Sequence, residues 1–497
     1  MTTTLYRRGR IQTAVAPEAT ALLVEGERIA WIGSEEDAPR AERVVDLDGG
    51  WVAPAFVDAH VHATSTGLAL SGLDLSGATS VDDVLGRVRR TAAALPAGAV
   101  VLGTGWDETR WPEGRPPTAR ELSNASGHRP VYLSRVDVHS AVVSEELLAR
   151  AAVPHDDGLV KQDAHHQLRK LAFESVTPAQ REVAQRATLD RAASLGIAAV
   201  HECGGPEIAG EEDFRALLSL DGPRPEVVGY WAELGAVEKA RELGARGAAG
   251  DLFADGSIGS RTAALNSPYA DDDPHFSHSG EPYLTEQEVA DHVIACTRAN
   301  LQAGFHCIGD AAIHRVVAGF TAAAELLGDD ALRQARHRLE HVELVGKREI
   351  AVLARLGVVA SVQPAFDAAW GGRHGMYAER LGAWRAGKLN PFAEMAQAGV
   401  ELAFGSDAPV TPLDPWGAVG AAVQHRTGHH AIALEQAFTA HTVGGWRAAG
   451  DDASGVLAAA SPATFAVWDG EYGVDTPAPT CRLTVLRGEP IFRSGDA

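Results

Sequence analysis

Ala53-Pro54-Ala55-Phe56-Val57-Asp58-Ala59-His60-Val61-His62 is an apolar run that closes on two histidines. Residues i and i+2 of a β-strand point to the same face, so at a strand's end both imidazoles converge on one point. Neutral imidazole is the commonest protein ligand for zinc-like metals. A lone His-x-His pair also fits two solvated loop histidines. What favours a metal is the set of matching polar residues at the ends of later strand-like runs.

Outward from this run, strand-like and helix-like segments alternate through the middle of the chain, the mark of parallel β/α architecture. The candidate strands are residues 51–60, 197–203, 226–232, 251–255, 301–308, 338–342, 358–363 and 402–406. Eight such strands close a (β/α)8 barrel. Thr177-Pro178-Ala179-Gln180 and Thr285-Glu286-Gln287-Glu288 carry capping-box signatures that open helices to about residues 195 and 300. Residues 311–327 and 346–356 are apolar at helical spacing.

The gap between the first two candidate strands is too long for a plain crossover or a structureless loop. It holds helical and strand-like stretches, and an insertion subdomain is expected over about residues 64–195. Short β-like runs with turn residues mark both ends of the chain. The expected architecture is therefore a (β/α)8 TIM-type barrel over 53–453. A small composite β-sandwich domain is expected from residues 1–52 plus 454–497.

The 497 residues carry a formal net charge of −22 and no basic stripe, which argues against a nucleic-acid partner. The first ten residues lack a signal-like apolar core, and no stretch is long and apolar enough to span a bilayer. Cys203, Cys296, Cys307 and Cys481 are scattered without a Cys-x-x-Cys pair, which fits a reducing compartment. A cytoplasmic protein with a small-molecule substrate and no membrane partner is expected, a homodimer being one option.

Chemistry in such a barrel sits at the C-terminal ends of the strands. There the sequence places His60 and His62, then His306, His341 and Asp407. Imidazole nitrogens and a carboxylate together suit Zn²⁺ or a similar first-row metal. These residues, with Gly105-Trp106-Asp107-Glu108, Arg135-Val136-Asp137-Val138-His139, the run 252–264, His306-Cys307-Ile308-Gly309-Asp310, Glu340-His341 and Gly405-Ser406-Asp407-Ala408-Pro409, form an ordered set of motifs across nearly the whole chain. The set resembles the amidohydrolase superfamily, and within it the amidohydrolase-3 branch that includes N-substituted formamide deformylase.

The resemblance implies a distorted (β/α)8 barrel carried by a composite β domain, and a metal-dependent hydrolase with one or two ions, Zn²⁺ foremost and Mn²⁺ or Fe²⁺ as alternatives. It makes His60, His62, His306, His341 and Asp407 the metal positions and Asp407 the proton shuttle. The family often has a carboxylated lysine on strand four, where this chain has Asp251. An aspartate reaches less far, so Asp251 is expected to bridge two metals only if the backbone shifts. One metal is favoured over two. Glu202, at the end of strand two, stands where some superfamily members place a ligand.

The expected reaction is hydrolysis of a non-peptide C–N bond, N-formyl or N-acyl, by water that a metal acidifies. Asp407 serves as base and then acid, and the metal or His341 polarises the carbonyl. Asp310 and Glu340 are expected to orient ligand imidazoles. His139, Arg261 and Trp106 are expected at the substrate, with a surface histidine, a plain salt bridge and a core tryptophan as their respective alternatives. Residues 365–389 are a candidate lid. Cyclic-amide, carbamate or ester hydrolysis is the alternative chemistry, and a catalytically degenerate binding protein the alternative class.

Overall fold

The computed structural model describes residues 2–96, 98–271 and 278–495. Eight parallel strands form its central sheet in sequential spatial order. They are β1 (Phe56–Val61), β2 (Ile197–Gly204), β3 (Glu226–Trp231), β4 (Gly247–Ala248), β5 (Gln302–Cys307), β6 (Arg338–His341), β7 (Val359–Val362) and β8 (Leu402–Phe404). Beyond β8 the chain returns to β1. The Asp407 N–H donates to the His60 carbonyl at 2.8 Å, and the His62 N–H to the Ala408 carbonyl at 2.9 Å. The sheet is thus a nearly closed barrel of TIM type, and residues at its mouth make the closing bonds.

Two expected strands differ. Residues 51–60 are one run in sequence but two strands in the fold. Trp51–Pro54 pairs with Phe465–Trp468 in another sheet, and β1 begins only at Phe56. The fourth strand is Gly247–Ala248, and residues 251–255 meet β5 through a single bridge between Phe253 and His306. Gly250 explains the break, because its φ of +84° is a left-handed conformation that an extended strand cannot hold. The chain turns there and carries Asp251 toward the mouth.

Both ends of the chain contribute to one five-stranded sheet: Arg10–Ile11, Trp51–Pro54, Phe465–Trp468, Cys481–Leu486 and Glu489–Arg493. A four-stranded sheet from residues 3–46 shares an apolar cluster with it, where Tyr6, Leu22 and Ile29 meet Val52, Phe465 and Val485. Aromatic edges join this region to the barrel, with Phe56 and Trp468 set 4.7 and 5.3 Å from Trp416.

Between β1 and β2 a five-stranded sheet of its own spans Leu73 to Lys161. Helix Gln162–Phe173 then leads back to the barrel mouth. The capping boxes at Thr177 and Thr285 are both formed, each contributing about 1 kcal/mol of helix stability. Residues 365–389 include most of helix Pro364–Trp370 and the short helices Met376–Leu381 and Ala383–Ala386. Their apolar side pins Phe366 flat against the His341 ring at 5.9 Å. Among the described residues no helix is long and apolar enough to cross a membrane.

Candidate metal centre

Six side chains from five places in the barrel meet at its mouth. His60, His62, Asp251 and Asp407 form one group of donors, and Asp251, His306 and His341 form another. Asp251 belongs to both. Its Oδ2 lies 3.1 Å from His62 Nε2, and its Oδ1 lies 3.4, 3.4 and 3.5 Å from His60 Nε2, His306 Nδ1 and His341 Nε2. Asp407 Oδ1 stands 3.4 Å from His60 Nε2 and 3.2 Å from His62 Nε2. The chain turns at Gly250, whose φ is +84°, and the short Asp251 side chain lies within reach of all four imidazoles.

Three of the four imidazoles have their second nitrogen committed elsewhere. His60 Nδ1 faces Glu340 Oε2 at 2.9 Å, His341 Nδ1 faces Gln363 Oε1 at 2.8 Å, and His306 Nε2 faces the Gly256 carbonyl at 3.3 Å. A ring nitrogen that meets an acceptor carries the proton, which leaves the other lone pair free. The free atoms are His60 Nε2, His306 Nδ1 and His341 Nε2. Together with Asp251 Oδ1 and Asp407 Oδ1 they are buried and make no hydrogen bond. Buried polar atoms are rarely left so. Five of them aimed at one volume is what a cation site requires, and the donor set suits a first-row divalent metal.

Electrostatics agree. Burial disfavours protonated His62, but the carboxylates of Asp251 and Asp407 outweigh it and lift the group to about 9. Burial likewise works against the Asp251 anion, yet the surrounding imidazoles, His60 first, hold it well below the usual carboxylate range. Protons and metal ions compete for this focus of negative charge.

The supporting residues lie behind it. Arg338 donates to Glu340 through Nε at 2.5 Å and Nη2 at 3.0 Å, and also to the Ala59 carbonyl, Ser361 Oγ and His201 Nδ1. One guanidinium thereby ties four strands beneath the site. Asp58 accepts from the backbone of His60 and Ser406, locking β1 to the Asp407 loop. Asp255 accepts from Ala264, Ile308 and Gly309, which fixes the chain after His306. His341 and Asp407 hold φ of 70° and 53°, a conformation costly for non-glycine residues and typical of functional sites.

Of the expected supporting and substrate residues, Glu340 and His139 reach the centre. The His139 ring lies 4.9 Å from that of His306 and lines the cavity over the donors with Glu343, Phe366 and Tyr377. Burial and the neighbouring His306 hold it down to about 3, so it is neutral. Three others need correction. Asp310 accepts from the Asn266 N–H at 2.9 Å and begins a helix, so it caps a loop instead of orienting an imidazole. Arg261 forms the salt bridge that was its alternative, pairing with Asp271 at 2.6 Å. Trp106 is 1% exposed, donates to the Leu133 carbonyl and packs with Trp111 inside the insertion. Glu202 accepts from the Ala63 N–H and stands outside both donor groups.

Gln363, Arg338 and Asp58 were not singled out from sequence. Asp58 had a signal, since it shares a strand face with His60 and His62. Gln363 had none, because its contact depends on the register between β6 and β7.

A model of the amidohydrolase family matches residues 43–492, and the chain belongs to that family. It is 26% identical over 528 residues to the Bacillus subtilis (strain 168) protein YtcJ, covering 95% of this chain and 96% of that one. It is 25% identical over 458 residues to the N-substituted formamide deformylase of Arthrobacter pascens, covering 82% and 81%. The crystal structure of a metal-dependent hydrolase from Pyrococcus furiosus matches with a TM-score of 0.72 at 26% identity, covering 94% of this chain and 99% of that one.

Proposed function

We propose that this protein is a metal-dependent amidohydrolase that cleaves a non-peptide C–N bond of a small molecule, with N-formyl and N-acyl amines as the leading class. The observation that carries the reading is the convergence of five unpartnered buried donor atoms at the barrel mouth. The name of the Arthrobacter pascens relative favours the formyl class. Four free, buried thiols suit a cytoplasmic setting.

His60, His62, Asp251 and Asp407 would hold one cation, and Asp251, His306 and His341 a second. Bound there, divalent cations supply Lewis acidity and acidify water. The residues do the rest. Asp407, at the edge of the donor cluster and lining the substrate cavity, takes the proton from the attacking water and returns it to the leaving nitrogen. His139, neutral and on the cavity wall, is placed to hydrogen-bond the substrate carbonyl. Phe366, Trp370 and Tyr377 close the apolar side of the cavity and exclude water. The central position of Asp251 among the donors supports a working metal site over a degenerate, non-catalytic barrel.

The test is a panel of N-formyl amines, N-acyl amines, cyclic amides and esters assayed with metal-replete enzyme, with a chelated control. Turnover of N-formyl or N-acyl amines, abolished by chelation and restored by Zn²⁺ or Mn²⁺, is expected. Activity that survives complete demetallation would rule the reading out.

A further inference from the structure

Helix Gln162–Phe173 of the insertion brings a guanidinium to the His62 side of the centre. Arg169 is 8% exposed, and among the described residues no carboxylate pairs with it. Its contacts are Ser65 Oγ at 3.4 Å and the Phe173 ring at 5.6 Å. In a chain of net charge −22, a buried cation without an acid is unusual, because burial of a charge is costly unless something pairs with it. Asp213 feels the Arg169 charge from beyond pairing distance, and its carboxylate is already engaged by Arg181 at 3.1 Å, by Thr64 and by Gln185.

Arg169 lines a narrow cavity that also touches Pro409 and His62, one of the six donors. Its other walls include Leu68, Leu73 and Leu102, with Ser65 beside the guanidinium. Burial, then Arg169, holds neighbouring His166 down to about 4, so that imidazole is neutral and adds no competing charge. The guanidinium, a wall of leucines and the His62 edge of the donor cluster therefore face one shared space.

Resting on the amidohydrolase reading, we propose that Arg169 is the docking group for an anionic substituent of the substrate, a carboxylate on a short aliphatic arm. The arm lies along the leucines, the carboxylate takes the planar fork of Arg169, and the scissile bond is left at the donor cluster. An arginine suits this task because it matches a carboxylate in two parallel hydrogen bonds. The Phe366 and Tyr377 side of the centre receives the rest of the molecule.

The experiment compares matched pairs of N-acyl amines that end in a carboxylate or in the corresponding primary amide, with wild type, Arg169→Met and Arg169→Lys. Wild type is expected to prefer the acid by about tenfold or more in kcat/KM, and Arg169→Met to lose that ratio. Arg169→Lys keeps the charge for folding but not the fork, and is expected to reduce the ratio at least about threefold. In parallel, calorimetry measures butyrate and butyramide binding to the metal-loaded proteins. Butyrate is expected to bind about tenfold more weakly to Arg169→Met, with butyramide insensitive to the change. A preference for the acid and a butyrate affinity that are both unchanged in the variants would overturn the docking site. If no panel compound is hydrolysed but butyrate binding still depends on Arg169, the hydrolase reading fails and the docking site stands.

Discussion

Glu340 Oε2 lies 2.9 Å from His60 Nδ1, and that contact decides which nitrogen of His60 faces the donor cluster. Glu340 is itself held by Arg338, and both side chains are fully buried. Glu340→Gln keeps the shape and removes the charge. It is expected to weaken metal affinity about 10- to 100-fold by loosening the imidazole's orientation. It should also lower stability by about 3–5 kcal/mol, because Arg338 is left as an uncompensated buried charge. Chelator competition and chemical unfolding read the two effects separately. Wild-type metal affinity in the variant would deny Glu340 its orienting role.

Asp251 is shared by the two donor groups, so it should govern stoichiometry more than any single imidazole does. Wild type is expected to take up two equivalents of Zn²⁺ per chain. Asp251→Ala should retain at most one, measured by elemental analysis after dialysis. A single equivalent in wild type, or two in the variant, would end the shared-carboxylate assignment.

Asp407 lines the substrate cavity and also contacts His60 and His62. Asp407→Asn, assayed at saturating metal, is expected to lower kcat by about 10²- to 10⁴-fold with little change in KM, the size of a lost general acid–base group. Near-normal kcat would remove the proton-transfer role.

Seven of the eight barrel strands and five of the six donors could be located from sequence because the signal is local. Each donor stands where an apolar run ends, and strand ends at one face of a barrel must meet. Asp251 was harder to place. Its reach depends on the turn at Gly250, which an extended reading of residues 251–255 conceals. Residues whose role lies in side-chain direction could not be read. Arg261 and Trp106 sit in motif positions, but Arg261 has φ of 57° and finds Asp271, while Trp106 finds Leu133. Arg169 carried no signal at all, because nothing local tells a guanidinium facing a cavity from one facing solvent.

Trp106 gives a test of that distinction. With its ring in the insertion core, Trp106→Ala should cost about 3–5 kcal/mol of stability through lost burial and the cavity it leaves. At temperatures where the variant stays folded, KM should be nearly unchanged. A large rise in KM with little loss of stability would return Trp106 to the substrate wall.

Proton competition at the centre gives a pH signature. His62 is lifted to about 9 in the metal-free protein, above its ordinary 6.5, so at pH 7 it carries a proton that metal binding must displace. A group raised in the folded state stabilises the fold fully below its unfolded value. Metal-free protein therefore gains from His62 below about pH 6.5 and loses that gain as pH rises through about 9. Metal binding runs the opposite way, its affinity rising about tenfold per pH unit for each proton displaced until His62 is neutral. Calorimetry in buffers of differing ionisation enthalpy should find at least one proton released per chain on Zn²⁺ binding at pH 7. Thermal unfolding should show the Zn²⁺-dependent increase in Tm growing from pH 6.5 to 9. Zn²⁺ binding without proton release at pH 7 would mean that His62 is already neutral there, and the carboxylates beside it would not dominate its charge.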